Sequence, residues 1–377
     1  MCTKPLIAQR KNSIFNDNRL RILGSIDKFP YIHQLSDLIT DPKTGTVIPH
    51  VNNIDFITGE VLYPFYVGCG QCAECRLEYS RGWANRCVME ALTCQREDVR
   101  NCWFVTLTYN DDSISKYGLN DTASGLMTLN YDHLQLFMKS LRRHYEYHAQ
   151  DKQWNYNNIR FYACGEYGEQ THRPHFHVLL FDCPILDKDL KLLGKTKLGY
   201  PLYNVDYITK LWNKGHVVIA DLTWETCAYT ARYVMKKLKG KDACFYELND
   251  VEKEDVRMSR KPGIGLEYFN NHWHEMYYFN DPNDISKGAS SKVILPALSK
   301  DRPNTGKPPR YFDEKMKDID LSLIERVKAS RLQKAMIMDD NLHRASNLTD
   351  KQRFEINENT VTRKSKMLLR EFTNFIS

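Results

Sequence analysis

The sequence predicts an α+β protein with helices laid on one face of a mostly antiparallel sheet. Three observations carry this reading. Segments 101–109, 159–164, 175–181 and 215–220 are short and rich in β-branched and aromatic residues, as strands are. Two longer stretches, one starting at Asn130 and one ending near Gly240, carry helical spacing. The order strand, helix, two strands, strand, helix describes a layered α+β domain.

Taken in order, residues 1 to about 68 hold many Pro, Asp and Asn with little periodicity, and read as irregular. Gly68-Cys69-Gly70-Gln71-Cys72-Ala73-Glu74-Cys75 then opens an Arg-studded helix running to about Cys94. Asn101 to Tyr109 is a buried strand. The helix from Asn130 puts Leu134, Phe137, Met138 and Leu141 on one stripe, with Lys139, Arg142 and Arg143 off it. Those three make either a solvated basic face or a phosphate contact. Ile159 to Cys164 and His175 to Phe181 are strands joined by a Gly-rich turn. Gly215 to Ala220 is a fourth strand, and the helix bearing Tyr229 and Tyr233 follows. Beyond residue 240 the chain is charged and helical, including 322–338. The expected division is an N-terminal Cys-containing region with a basic helix over 1–98, a central domain over 99–240 and a mostly helical extension over 241–377.

A chain of 377 residues can bury a large core without disulfide staples. The net charge of +6 suits a polyanion better than an acidic substrate. Its 22 tyrosines, interleaved with Lys and Arg, fit a single-strand groove in which bases stack on rings, although most serve as half-buried filler. Eleven scattered cysteines, an odd number, with no secretory leader in Met1-Cys2-Thr3-Lys4-Pro5, read as reduced thiols in a cytoplasm. No run approaches the ~20 apolar residues of a membrane span, so no membrane partner is expected.

Side chains alternate along a strand, so His175 and His177 share a face while Phe176 points into the core. Two imidazoles about 7 Å apart along a strand can converge on one cation. Glu166, nine residues earlier and across the turn, is the third ligand; Glu169 falls inside the turn. Two histidines and a carboxylate with open positions suit Mn²⁺ or Mg²⁺ as a Lewis acid. His272 and His274 have the same spacing, but their surroundings read as a helix. There, i and i+2 lie about 200° apart and cannot share a metal.

Tyr229 and Tyr233 stand at i and i+4, with Cβ atoms roughly 6 Å apart on one helix face, and Lys236 continues that stripe. Such a pair either packs on a core or presents two nucleophiles. A phenol, with an unperturbed pKa near ~10, needs a polarising metal and a nearby ammonium to attack at neutral pH.

Together these residues resemble a known family. Phe104-Val105-Thr106-Leu107-Thr108-Tyr109 is similar to the first, strand-borne motif of the HUH endonucleases that initiate rolling-circle replication. Cys164-Gly165-Glu166-Tyr167-Gly168 through Arg173-Pro174-His175-Phe176-His177 is similar to the second, and Tyr229-x-x-x-Tyr233-x-x-Lys236 to the third in its two-tyrosine form. Cys69-Gly70-Gln71-Cys72 with Cys75-Arg76-Leu77, Leu211-Trp212-Asn213-Lys214-Gly215 and Met258-Ser259-Arg260-Lys261-Pro262-Gly263-Ile264-Gly265 more narrowly resemble the initiators of microviruses, small single-stranded DNA phages of the gokushovirus kind. The likeness spans roughly residues 65 to 315. It implies an HUH core over the central domain, with Glu166, His175 and His177 on the metal, Tyr229 and Tyr233 as nucleophiles and Lys236 stabilising charge. It also implies that one tyrosine nicks the origin DNA, keeping a 5′-phosphotyrosine and freeing a 3′-OH for a host DNA polymerase in the bacterial cytoplasm. The second tyrosine then cuts the regenerated junction, and the ends rejoin as a circle.

Cys69, Cys72 and Cys75 have the spacing of a structural Zn²⁺ site that lacks a local fourth ligand; Cys2 is the best remote candidate, with Cys87 behind it. Tyr79 stands where an iron–sulfur run would need cysteine. Gly194-Lys195-Thr196 resembles the end of a phosphate-binding loop, but Asp189 occupies the required glycine position. With no ATPase, unwinding falls to a host helicase. Three rivals remain: a plasmid or transposon nickase with the same core, a non-catalytic origin-DNA-binding module, and an amidohydrolase. The last needs later His and Asp ligands at strand ends, and the chain offers no such series.

Overall fold

The structure, a computed structural model, describes residues 2–10, 20–25, 39–40, 47–48, 65–94, 100–148, 159–168, 171–233, 243–277, 293–295 and 304–373. They fall into two compact units, Met1–Tyr79 with Leu332–Thr373, and Ser80–Arg331.

In the first unit, β1 (Leu6–Arg10) is flanked by β2 (Leu20–Ser25) and, beyond the two-residue ribbon of β3 (Ile39–Thr40) and β4 (Val47–Ile48), by β5 (Phe65–Val67). The region expected to be irregular therefore contains a small antiparallel sheet. Leu6-Ile7-Ala8 is too short to show an alternating pattern, and its partner β5 lies some sixty residues on.

The second unit takes most of α1 (Ala73–Cys94), then β6 (Trp103–Tyr109), α2 (Asp111–Lys116), α3 (Tyr131–His148), β7 (Arg160–Tyr167) and β8 (Pro174–Phe181). Next come β9 (Lys191–Lys195), β10 (Pro201–Asn204), α4 (Asp206–Trp212), β11 (Gly215–Asp221), α5 (Trp224–Arg232) and α6 (Cys244–Asn249). After these follow β12 (Val256–Met258), α7 (Leu266–Tyr277), the ribbon of β13 (Val293–Leu295) and β14 (Asn304–Gly306), and α8 (Arg310–Ile319). α9 (Leu321–Ala345) runs across the unit boundary, and α10 (Asp350–Thr373) returns to the first unit. Seven strands form one sheet in the order β12-β7-β8-β6-β11-β10-β9, every neighbouring pair antiparallel. The α+β class is as expected.

Helices cover both faces of this sheet, not one. Trp103, Val105, Leu107, Phe176, Val178, Leu180, Val217 and Ile219 pack under α3, through Leu134, Phe137, Met138 and Leu141, and under α4, through Ile208 and Trp212. The alternate residues Tyr162, Leu179 and Phe181 pack against α1, α5, α7 and α8, through Val88, Ala231, Phe269 and Phe312. The unbroken apolar run Val178-Leu179-Leu180-Phe181 is the sequence mark of a strand buried on both sides. Each such side chain contributes about 1.5–3 kcal/mol by leaving water. Between α4 and β11, Gly215 has φ +146°, and a Cβ there would lie 2.2 Å from the Thr108 carbonyl oxygen, so the crossing requires glycine. Among the described residues no helix is long and apolar enough to cross a membrane.

Candidate metal centre and tyrosine helix

The antiparallel register sets Glu166 directly opposite His175 and Cys164 opposite His177, which places the carboxylate and both imidazoles on the sheet face that α5 covers. The turn between β7 and β8 is closed by the Gly168 amide donating to the Arg173 carbonyl at 3.1 Å. Arg173 in turn donates to the Tyr109 carbonyl at 3.0 Å and pairs with Asp111. Glu169 lies outside the described residues.

His175 Nε2 and His177 Nε2 each lie 2.9 Å from the same Glu166 Oε2. The three ligand atoms lie within 4.8 Å of one another, with Glu166 and His177 buried and His175 half-buried. His175 Nδ1 faces the Arg173 carbonyl oxygen at 3.1 Å, and His177 Nδ1 faces Thr106 Oγ1 at 3.1 Å. Both Nδ1 atoms being satisfied by protein groups leaves both Nε2 atoms for a cation, so this donor set fits a divalent metal. Burial by itself raises the Glu166 carboxyl pKa, but hydrogen bonds and charge from His175 and His177 outweigh it and hold the carboxyl well below the usual range.

α5 begins at a reciprocal capping box between Thr223 and Thr226, which fixes its first turn. Cys227, Ala228 and Ala231 bury its inner side. Tyr229 and Tyr233 instead meet His177. The Tyr233 ring stacks on the imidazole at 5.1 Å, Tyr229 stands edge-on to it at 5.1 Å, and the two phenol rings meet at 4.8 Å. Tyr233 is buried at the helix C-cap, and Tyr229 is half-buried. Burial first, then the charges of Tyr229 and Glu166, push the Tyr233 phenol pKa well above its ordinary value. Arg232 turns back to donate to the Ala228 carbonyl at 3.2 Å. Lys236 lies outside the described residues.

The first strand motif contributes more than its sequence disclosed. Phe104 stacks on His177 at 5.4 Å and meets Tyr229 edge-on at 6.0 Å, and Thr106 is the Nδ1 partner already noted. The available signal was parity, since 104 and 106 share a face and Thr106 pairs with His177 across the strands. The basic residues of α3 lie elsewhere. That helix covers the opposite sheet face, and Arg142 donates twice to the Ile159 carbonyl.

His272 and His274 sit on α7 as expected, His272 beside Tyr268 and Glu275, His274 against Trp273. Lys195 and Thr196 belong to the β9–β10 hairpin, not to a phosphate loop.

In the other unit, Cys2, Cys69, Cys72 and Cys75 bring their sulfurs within 4.8 Å of one another, so Cys2 supplies the fourth position. Cys87 is instead one of the residues by which α1 packs into the core of the second unit. The amides of Gln71 and Cys72 donate to Cys69 Sγ at 3.4 and 3.3 Å, and Gly70, at φ +72°, makes that turn.

The family of the replication-associated protein ORF2 matches residues 102–238. The replication-associated protein ORF2 of Spiroplasma virus 4 is 33% identical over 250 residues, covering 66% of this chain and 67% of that protein. The replication-associated protein VP4 of Bdellovibrio phage phiMH2K is 27% identical over 68% of this chain and 72% of its own length. The replication-associated protein ORF4 of Chlamydia phage 1 is 31% identical over 55% of this chain and 47% of that protein. No solved structure matches the chain. The chain belongs to this family of phage replication-associated proteins, the microvirus replication initiators that its motifs resemble.

Proposed function

We propose that the protein is a metal-dependent HUH endonuclease and strand transferase that nicks the phage origin and rejoins its ends. The observation that carries this reading is the contact of both phenol rings with His177, inside a cluster whose ligand atoms lie within 4.8 Å. Glu166, His175 and His177 would hold Mn²⁺ or Mg²⁺, which when bound supplies Lewis-acid polarisation of the scissile phosphate. α5 brings Tyr229 or Tyr233 to the phosphorus. The phenolic oxygen bonds phosphorus as the P–O3′ bond breaks, the phenol giving up its proton and the 3′ oxygen gaining one. The number of phosphoester bonds is unchanged, so rejoining needs no nucleotide. Lys236, three residues past Tyr233, would offset charge on that oxygen.

The substrate is single-stranded origin DNA in the host bacterial cytoplasm, with a host helicase and DNA polymerase as partners. The four-cysteine cluster would hold structural Zn²⁺. The deciding experiment is incubation with end-labelled single-stranded origin DNA and Mn²⁺, followed by a denaturing gel. A covalent protein–DNA band is expected. DNA that is bound but never linked would leave an origin-binding module instead.

A further inference from the structure

His177 is the fully buried member of the metal cluster, so whatever fixes its ring must come from the protein. Its Nε2 faces Glu166 Oε2 at 2.9 Å and its Nδ1 faces Thr106 Oγ1 at 3.1 Å. An imidazole ligates through Nε2 when its proton sits on Nδ1, and that proton needs an acceptor. For His175 the acceptor is the Arg173 backbone carbonyl, which no substitution removes. For His177 it is one side-chain hydroxyl on the neighbouring strand β6, itself buried and held in place by cross-strand pairing with His177. A hydroxyl can accept from Nδ1–H or donate to a bare Nδ1, so it is compatible with the ring both with and without a cation at Nε2. Phe104, two residues earlier on the same strand face, stacks on the same ring and limits its rotation.

We propose that Thr106 is the positioning residue for His177: its hydroxyl holds the imidazole in the tautomer and plane that present Nε2 to the metal. This rests on the reading that Glu166, His175 and His177 bind a divalent cation. Valine at 106 keeps the shape and removes the Thr106 acceptor from Nδ1, which disfavours the Nδ1–H tautomer relative to the one whose Nε2 carries the proton. Thr108 provides the internal control. It lies opposite His175, whose Nδ1 already has the Arg173 carbonyl.

The test measures Mn²⁺ affinity of the full chain by electron paramagnetic resonance of the unbound ion, with melting temperature and single-stranded DNA binding alongside. Thr106→Val is expected to weaken Mn²⁺ binding about tenfold to hundredfold, whereas Thr106→Ser and Thr108→Val stay within about threefold of the parent. Adduct formation by Thr106→Val should recover as Mn²⁺ is raised, a shift in metal requirement with the saturated rate largely kept. Thr106→Ala takes the place of the valine variant if that one fails to fold. Parental Mn²⁺ affinity in Thr106→Val, or an equal loss in Thr106→Ser, would overturn the proposal. Failure of the underlying reading looks different: the parent itself would bind no Mn²⁺, or His177→Ala would leave its affinity unchanged.

Discussion

At Glu166 two influences oppose each other: burial raises its pKa, and the two imidazoles lower it further than burial raises it. A carboxylate kept ionised inside the protein by two histidines is one that a cation can share. His175→Ala or His177→Ala should therefore abolish adduct formation on a denaturing gel, while binding of single-stranded DNA, which draws on dispersed basic and aromatic contacts, changes little. His272→Ala, on α7 beside Glu275, should nick as the parent does. A different histidine, His133, should add its own acid sensitivity to that of Glu166. His133 lies 3.0 Å from the Tyr109 hydroxyl, and burial, then the charge of Lys214, lower its pKa from 6.5 to about 4. Between those values the unfolded chain binds the proton and the folded one does not. This contribution is therefore complete above pH 6.5 and is lost as pH falls through about 4. Denaturant melts at pH 7 and 4.5 should give His133→Asn an advantage over the parent that grows by about 1–2 kcal/mol on acidification. A constant difference would show that His133 is not charged on unfolding. At this scale the cluster was legible because strand parity and one turn fix which three side chains meet. Phe104 and Thr106 were not, because their role depends on which strand pairs with β8.

At the scale of elements, α5 carries the argument. One turn separates Tyr229 from Tyr233, and both rings touch His177, so exchanging one phenol for the other at a single phosphate needs little helix movement. Each single Phe substitution should still cut a short origin strand, the double substitution should not, and either single change should impair repeated rounds that release closed circles. Tyr233→Phe should have the stronger effect, on the order of tenfold, because its buried ring stacks on His177 and it hydrogen-bonds to Glu166. Full adduct yield from the double variant would remove the helix from the mechanism. The main strands and α1, α3 and α5 were readable because period and length agree over each. β1, β2 and β12 were not: they are three to six residues long, and distant pairing, such as Val256 opposite Cys164, defines them. The Met258–Gly265 motif is a related case. Its Ile264 carbonyl accepts from Arg86 and its Gly265 amide donates to Glu90, ties to α1 that only the fold reveals.

Across the whole molecule, the cysteine cluster and the tyrosine site belong to different compact units, Met1–Tyr79 with Leu332–Thr373 for one and Ser80–Arg331 for the other. Within the first, Lys4 pairs with Glu358 at 3.1 Å and Tyr66 meets Phe354 edge-on at 5.2 Å, so segments far apart in sequence depend on one another. Four thiols within 4.8 Å cannot all ionise unaided. Burial raises the Cys2 and Cys75 pKa values. Burial also opposes ionisation of Cys72, yet hydrogen bonds from the Cys75 and Thr3 amides help bring it down to about 6. One thiolate ready at neutral pH, beside thiols held back by burial, is what a cation would convert to four, and in isolated zinc modules that binding is worth roughly 10–16 kcal/mol of folding. The protein should therefore carry one zinc per chain by elemental analysis, and Cys69→Ser, Cys72→Ser and Cys75→Ser together should remove it and lower the melting temperature and the soluble yield. The soluble fraction should form the DNA adduct within about threefold of the parent, since sites with no shared partners add with little coupling. Zinc-free parent protein with an unchanged melt would reduce the cluster to four thiols. An adduct lost in step with zinc would tie the two units into one catalytic device.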